Sequence, residues 1–170
     1  HNPTGIDPSL DQWKELSKII KNQRITPFFD IAYQGFGQSI EEDPKAIQHF
    51  ILEGHELLIA YSFSKNFGLY GERVGFLMIT CSSQDQVPKI KSQVRSLIRG
   101  NFSNPPLHGA RIVSTILQSK ELTLEWKREL EQMRERIEGM RKSLVIELKN
   151  KGICISHLED QKGLFSFSGL

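Results

Sequence analysis

Two serines, a lysine and an arginine stand close together in the stretch Tyr61-Ser62-Phe63-Ser64-Lys65-Asn66-Phe67-Gly68-Leu69-Tyr70-Gly71-Glu72-Arg73-Val74-Gly75. Hydroxyls, a guanidinium and a backbone left bare by Gly68, Gly71 and Gly75 are what a phosphate group needs for close, charge-assisted binding. The stretch is not a Walker loop, because GxxxxGK[ST] is absent and Lys65 precedes the glycines. A lysine amine in such a place has a second use: once deprotonated it forms a Schiff base with an aldehyde-bearing cofactor. The alternative is an ordinary surface lysine in a glycine-rich loop, which leaves Arg73 and the two flanking serines without a role. The residue types alone leave both readings open.

The elements that must position this stretch are visible in the apolar pattern. Residues 57–61 form a short continuous apolar run directly before it, the signature of a buried strand, and ligands of open α/β sheets bind beyond the carboxyl ends of strands. The run 25–29, closing on Asp30, reads as a second buried strand, and residues 74–80 as a third. Leu10, Trp13, Leu16, Ile19 and Ile20 recur at helical spacing after Asp7-Pro8. Further helices are expected over 41–53, ending at Gly54, over 84–98 and over 107–117. From 122 to 148, Trp126, Leu130, Met133, Ile137, Met140 and Leu144 mark one face of a long helix, which reads as a bridge between two lobes. The stretches 153–156 and 164–167 are expected to open a second, smaller α+β unit. Strands alternating with helices point to an α/β fold.

Composition narrows the function. The 170 residues carry 22 Lys+Arg against 20 Asp+Glu, a net charge of +2, so a nucleic-acid binder built on bulk positive charge is not expected. A hydrophobic share of 38% with 25% charged residues belongs to a globular domain, and no apolar run reaches the length of a membrane helix. Cys81 and Cys154 form no CxxC pattern and no metal-like pairing with the five histidines. No disulfide framework and no metal site are expected, and a reducing compartment, the cytoplasm, is the default. The chain opens on His1-Asn2-Pro3-Thr4-Gly5 with no targeting pattern, and its last residues read as a strand running on. Both ends read as cuts into a longer protein, so an organellar form stays open.

Ser62-Phe63-Ser64-Lys65-Asn66-Phe67-Gly68-Leu69-Tyr70-Gly71-Glu72-Arg73-Val74-Gly75 resembles the pyridoxal-phosphate lysine motif of the aspartate aminotransferases, of the class I, fold-type I group. His1-Asn2-Pro3-Thr4-Gly5 resembles the NPTG turn of that family, and Phe28-Phe29-Asp30-Ile31-Ala32-Tyr33-Gln34-Gly35-Phe36 resembles its Asp/Tyr cofactor strand. Ser103-Asn104-Pro105-Pro106-Leu107-His108-Gly109-Ala110-Arg111 resembles its interface loop. Order and spacing agree along essentially the whole chain, whereas NPTG alone would carry little.

The resemblance implies a three-layer α/β sandwich on a mixed, mostly parallel sheet with helices on both faces. Residues 1–120 would be the C-terminal part of the large cofactor-binding domain, 121–150 the connecting helix and 151–170 the start of a small α+β domain. It implies pyridoxal 5′-phosphate as cofactor and transamination of L-aspartate with 2-oxoglutarate to oxaloacetate and L-glutamate. Lys65 would hold the cofactor as an aldimine and then act as general base and acid. Asp30 would face the pyridine nitrogen and keep it protonated. Tyr33 and Asn2 would hydrogen-bond the 3′-oxygen, and Ser62, Ser64 and Arg73 would bind the phosphate. Arg99 would pair with the substrate's side-chain carboxylate in the neighbouring subunit, which implies a homodimer acting on small amino acids and 2-oxo acids, with no nucleic acid and no membrane.

Each role has a plainer alternative: a turn cap for Asp30, a half-buried ring for Tyr33, an Asn-Pro turn for Asn2. For Arg99 it is a solvated helix end in the Lys91–Arg95–Arg99 stripe, and Gly100 departs from the Pro or Ala the family carries there. An aromatic amino acid aminotransferase of the same subgroup, and a catalytically incomplete scaffold, are the competing functions. A nucleic-acid module using the basic stripe is a poorer third, since the stripe lacks aromatic interleaving.

Overall fold

The strand-forming runs pair in the order in which they occur. The computed structural model describes residues 1–165. Within them β1 (Phe28–Ile31) lies parallel to β2 (Leu58–Ser62), with Asp30 opposite Ala60 and Ile31 opposite Tyr61. β3 (Gly75–Ile79) returns antiparallel to β2, with Tyr61 opposite Phe76 and Ser62 opposite Gly75. The sheet is mixed, as expected, and its two pairings are one parallel and one antiparallel. The two-residue period puts Phe29, Ile31, Ile59, Tyr61 and Phe76 on one face, and Phe28, Asp30, Ala60 and Ser62 on the other.

Helices α1 (Leu10–Asn22) and α2 (Lys45–Leu52) cover the first face. Phe50, Leu57 and Ile59 are fully buried there, against Trp13, Ile20, Phe29, Ile31 and Ile47. Each large apolar side chain so buried contributes about 1.5–3 kcal/mol. α1 starts where a capping box allows: Ser9 N–H donates to Gln12 Oε1 at 2.8 Å, and Gln12 N–H to Ser9 Oγ at 3.3 Å.

Of the boundaries that differ from the sequence expectation, two bear on the site. The first strand begins at Phe28 because Pro27 has no N–H to give; the Pro27 carbonyl instead accepts from Leu58 N–H at 3.0 Å. Asp30 therefore sits within β1, not beyond its end. The strand is also half-exposed rather than buried, with Phe28 65% exposed. The second helix starts at Lys45 and not at 41, because Ser39 and Asp43 turn the preceding residues on themselves.

Helices α3 (Gln86–Asn101), α4 (His108–Gln118) and α5 (Lys120–Asn150) follow. Ser119 caps α5, its Oγ accepting from Leu122 N–H at 3.3 Å, and 31 residues make a rod of roughly 45 Å. The apolar stripe read from the sequence is the buried line of this helix only in part: Leu130 is buried and Trp126 and Ile137 are half-buried, but the C-terminal part of the line shifts to residues off the stripe. Met133, Met140 and Leu144 are exposed, whereas Leu130, Arg141 and Val145 are buried.

After α5 the chain forms a short 3-10 helix, Ser156–Asp160, and no strand among the described residues. Ile155 and Leu158 tuck against Val145 and Leu148, and the Arg141 guanidinium donates to the carbonyls of Gln161, Gly163 and Phe165. These bonds tie residues 161–165 to α5. The expected element over 164–167 lies largely outside the described residues.

Beneath α1, buried His55 bonds Ser17 through Nε2 at 2.8 Å. Burial, with Lys21 nearby, holds the His55 imidazole below its ordinary value of 6.5. The unfolded chain then takes up this proton first, so the stability contributed by neutral His55 is complete above about pH 6.5 and is lost as pH falls below it. Thermal melts at pH 7.5 and pH 5 should show this loss, and His55→Gln should flatten the difference. An unchanged pH dependence in the variant would show that His55 is not the group responsible.

Candidate active site

The end of β2 delivers the chemistry-bearing stretch. Ser62 is its last residue, and its Oγ accepts from Ser64 N–H at 3.2 Å and lies 3.0 Å from Ser64 Oγ, so the two hydroxyls stand side by side. The chain then turns tightly: Phe67 N–H reaches the Phe63 carbonyl, and Gly68 N–H the Lys65 carbonyl at 3.0 Å. Gly68 takes φ +65°, a conformation glycine adopts without strain. Phe63 N–H returns to the Val74 carbonyl, which ties the two ends of the excursion together.

Within this turn Lys65 points its amine over the ring of Tyr33, with Nζ 4.9 Å from the centroid, a cation–π contact between half-buried groups. Tyr33 is reached from β1, two residues past its end. Its other neighbours are Phe165, edge-on at 5.0 Å, and Gly163, where a Cβ would lie 3.6 Å from the ring. Asp30 and Tyr33 line one open cavity of approximately 950 Å³ together with His1, Lys162 and Phe165. Lys65 does not line that cavity and approaches Tyr33 from beside it. Asp30 is exposed on the sheet face that also carries Ser62. It has no hydrogen bond or ion pair among the described residues, so its carboxylate is available to a cationic partner.

The other expected residues are placed less directly. Arg73 is exposed with φ +51°, and its Nη1 donates to the Tyr70 carbonyl at 2.9 Å, not to either serine. The rest of its fork stays available. Asn2 lies in the exposed turn closed by Gly5 N–H on the His1 carbonyl, and the Gly5 carbonyl accepts from Lys162 N–H at 2.7 Å. Arg99 sits in the last turn of α3, bonded to Ser103 Oγ at 2.9 Å rather than to the Lys65 turn.

Two residues that sequence reasoning passed over hold these pieces in place. Asp43 accepts from the N–H groups of Gly35 at 2.7 Å, Gly37 at 3.0 Å and Gln38 at 2.7 Å, fixing the loop that leaves Tyr33. In the sequence it is one of three consecutive acids, Glu41-Glu42-Asp43, and nothing marks it out. Asn66, beside Lys65, is almost fully buried and donates to Tyr61 Oη at 2.8 Å and the Gln34 carbonyl at 3.2 Å. Burial raises the Tyr61 phenol above its usual range, and the Asn66 bond opposes the rise. The available signal for Asn66 was one amide set between the aromatic residues Phe63 and Phe67.

With this geometry in hand, comparison with known proteins is decisive. The family model for aminotransferase class I and II matches residues 1–170. The chain belongs to that family. It is 47% identical to the mitochondrial aspartate aminotransferase of Xenopus tropicalis and 48% identical to the aspartate aminotransferase of Pseudomonas aeruginosa, each across the whole chain. It covers 40% and 43% of those two proteins, so it spans about two-fifths of the length of the curated relatives it matches. Among solved structures, an aromatic-amino-acid aminotransferase from Burkholderia pseudomallei, covalently bound to pyridoxal phosphate, superposes with a TM-score of 0.97 at 47% identity. It matches all of this chain and 43% of its own. A putative aspartate aminotransferase from Leishmania major does so with a TM-score of 0.97 at 43% identity. The fold of this aminotransferase chain is thus the fold-type I α/β architecture of those proteins. Relatives carry mitochondrial, cytoplasmic, chloroplastic and bacterial labels, and no helix among the described residues is long and apolar enough to cross a membrane.

Asp43→Ala should loosen the Tyr33 loop and destabilise the protein by roughly 2–3 kcal/mol, the scale of a few hydrogen bonds to a charged acceptor in a half-buried place. A urea titration in which the midpoint falls with an unchanged slope is the expected result; a shift below about 0.5 kcal/mol would mean that the loop holds without it.

Proposed function

We propose that the protein carrying this chain is a pyridoxal-phosphate-dependent aminotransferase that exchanges the amino group of L-aspartate with 2-oxoglutarate, giving oxaloacetate and L-glutamate. The observation that carries the reading is the Lys65 amine held over the Tyr33 ring at the carboxyl end of the parallel β1–β2 pair. The donor set suits the cofactor: an amine for its aldehyde, two adjacent hydroxyls and an arginine for its phosphate, and an unpaired carboxylate for its ring nitrogen. When bound, the cofactor supplies an electron sink for the bonds of the substrate's α-carbon.

The chain's own residues do the rest. Lys65 Nζ would take the proton from the substrate's α-carbon and deliver it to C4′ of the bound cofactor, and Asp30 would hold a proton on the ring nitrogen. Tyr33 and Asn2 would hydrogen-bond the ring's 3′-oxygen, and Ser62, Ser64 and Arg73 would hold the phosphate. Arg99 selects a dicarboxylic substrate by pairing with its side-chain carboxylate, and it serves the neighbouring subunit of a homodimer. Residues 1–120 belong to a large cofactor-binding domain, 121–150 to the connecting helix and 151–170 to the start of a small domain. The free thiols of Cys81 and Cys154 suit the reducing cytoplasm. The match to an aromatic-amino-acid aminotransferase at a TM-score of 0.97 supports a second reading, in which aromatic amino acids are the preferred donors.

Initial rates with L-aspartate and with L-phenylalanine, each against 2-oxoglutarate, test both readings. Lys65→Ala should lower kcat by about 10⁴-fold or more, since it removes both the anchor and the proton carrier. Arg99→Ala should raise KM for aspartate by about 10- to 100-fold, the loss of a hydrogen-bonded charge pair, and hardly affect phenylalanine. A wild-type preference for phenylalanine would favour the second reading, and turnover of neither donor would contradict both.

A further inference from the structure

Lysine has four rotatable side-chain bonds, so a meeting between Lys65 and Tyr33 depends on how firmly their two backbones are joined. One residue joins them. Asn66, next to Lys65 in sequence, is 1% exposed, and its Nδ2 donates to the carbonyl of Gln34, the neighbour of Tyr33, at 3.2 Å. The second N–H of the same amide donates to Tyr61 Oη on β2 at 2.8 Å, which uses both donors. The Asn66 carbonyl accepts from Trp126 Nε1 on α5 at 2.6 Å, while the Trp126 ring stacks on Phe67 at 4.5 Å. Strand, loop and long helix therefore all fasten to the residue beside the lysine.

The orientation of the amide is set by its partners. The Gln34 carbonyl has no proton to give, so only Nδ2 can face it, and a flipped amide would set oxygen against oxygen. Oδ1 is consequently buried without a donor among the described residues. An unmet buried acceptor is costly, and an apolar side chain of similar volume would avoid that cost; what it could not do is bridge Gln34 and Tyr61.

We infer that Asn66 is a positioning residue for Lys65, its amide clamping the Lys65 turn to the Tyr33 loop and its carbonyl clamping the same turn to α5. The inference rests on the assignment of Lys65 as the working lysine, yet it can be tested without cofactor. In the apoprotein, reductive methylation read by mass spectrometry gives the reactivity of each lysine relative to the others. Asn66→Leu keeps the volume and removes both donors, so Lys65, released from Tyr33, should react about threefold faster or more, while Lys14 and Lys89 keep their rates. Trp126→Phe, which keeps the ring stack and loses the Nε1 bond, should move Lys65 in the same direction by less and serves if the first variant fails to fold. In the cofactor-loaded protein Asn66→Leu should lower kcat about tenfold with KM for the amino acid within about twofold, since substrate groups are untouched. A Lys65 rate unchanged in both variants, or a loss of melting temperature with kcat intact, would overturn the inference. If wild-type protein binds no pyridoxal phosphate, the proposed activity fails, while the apoprotein rates still decide the role of Asn66.

Discussion

Everything at the candidate site follows from one pairing, the parallel alignment of β1 with β2. Parallel strands leave the sheet at the same end, and the register of Asp30 on Ala60 and Ile31 on Tyr61 brings the two exits level. Tyr33 then follows β1 by two residues, and Lys65 follows β2 by three. A slip of one residue would turn Asp30 to the face packed by α1 and α2 and bury a carboxylate among Phe50, Leu57 and Ile59. The same apolar cluster that stabilises the sheet thus enforces the register that assembles the site.

The second constraint is the tying-down of the loops that leave those strands. Asp43 gathers three amides after Tyr33, and Asn66 links the two exits and α5. Arg141, buried in the middle of α5, draws in the carbonyls of residues 161–165 and sets Phe165 against Tyr33. Buried polar groups specify one arrangement more sharply than apolar packing does, because each has few partners that satisfy it. The long helix therefore acts as a strut, touching the lysine turn through Trp126 and the closing segment through Arg141.

How much of this was legible in the sequence depends on how local the cause is. The Lys65 turn could be read directly, because the apolar run, the two serines and the glycines that make it lie within twenty residues. Helix α1 was legible through the helical spacing of Leu10, Trp13, Leu16, Ile19 and Ile20. The start of β1 was misjudged because the apolar run continued through Pro27, whose missing donor outweighs its place in the pattern. The buried line of α5 was read correctly at Trp126 and Leu130 and misjudged further along for a different reason. Met133, Met140 and Leu144 have the right periodicity, but what the helix faces was decided by the segment after it, whose carbonyls call for Arg141. Asp43 was invisible because it bonds backbone amides up to 8 residues away, which sequence does not distinguish, and Asn66 because it draws on a backbone carbonyl 32 residues away and an indole 60 residues away that only the fold brings together.

The central claim is that Lys65, and no other lysine, is placed to bind a carbonyl cofactor. The most direct test is to load the protein with pyridoxal phosphate, reduce it with borohydride, digest it and locate the modified lysine by mass spectrometry. A single label on Lys65 is the expected result. A label on Lys162, which lines the cavity shared by Asp30 and Tyr33, or no stable label at all, would contradict the account.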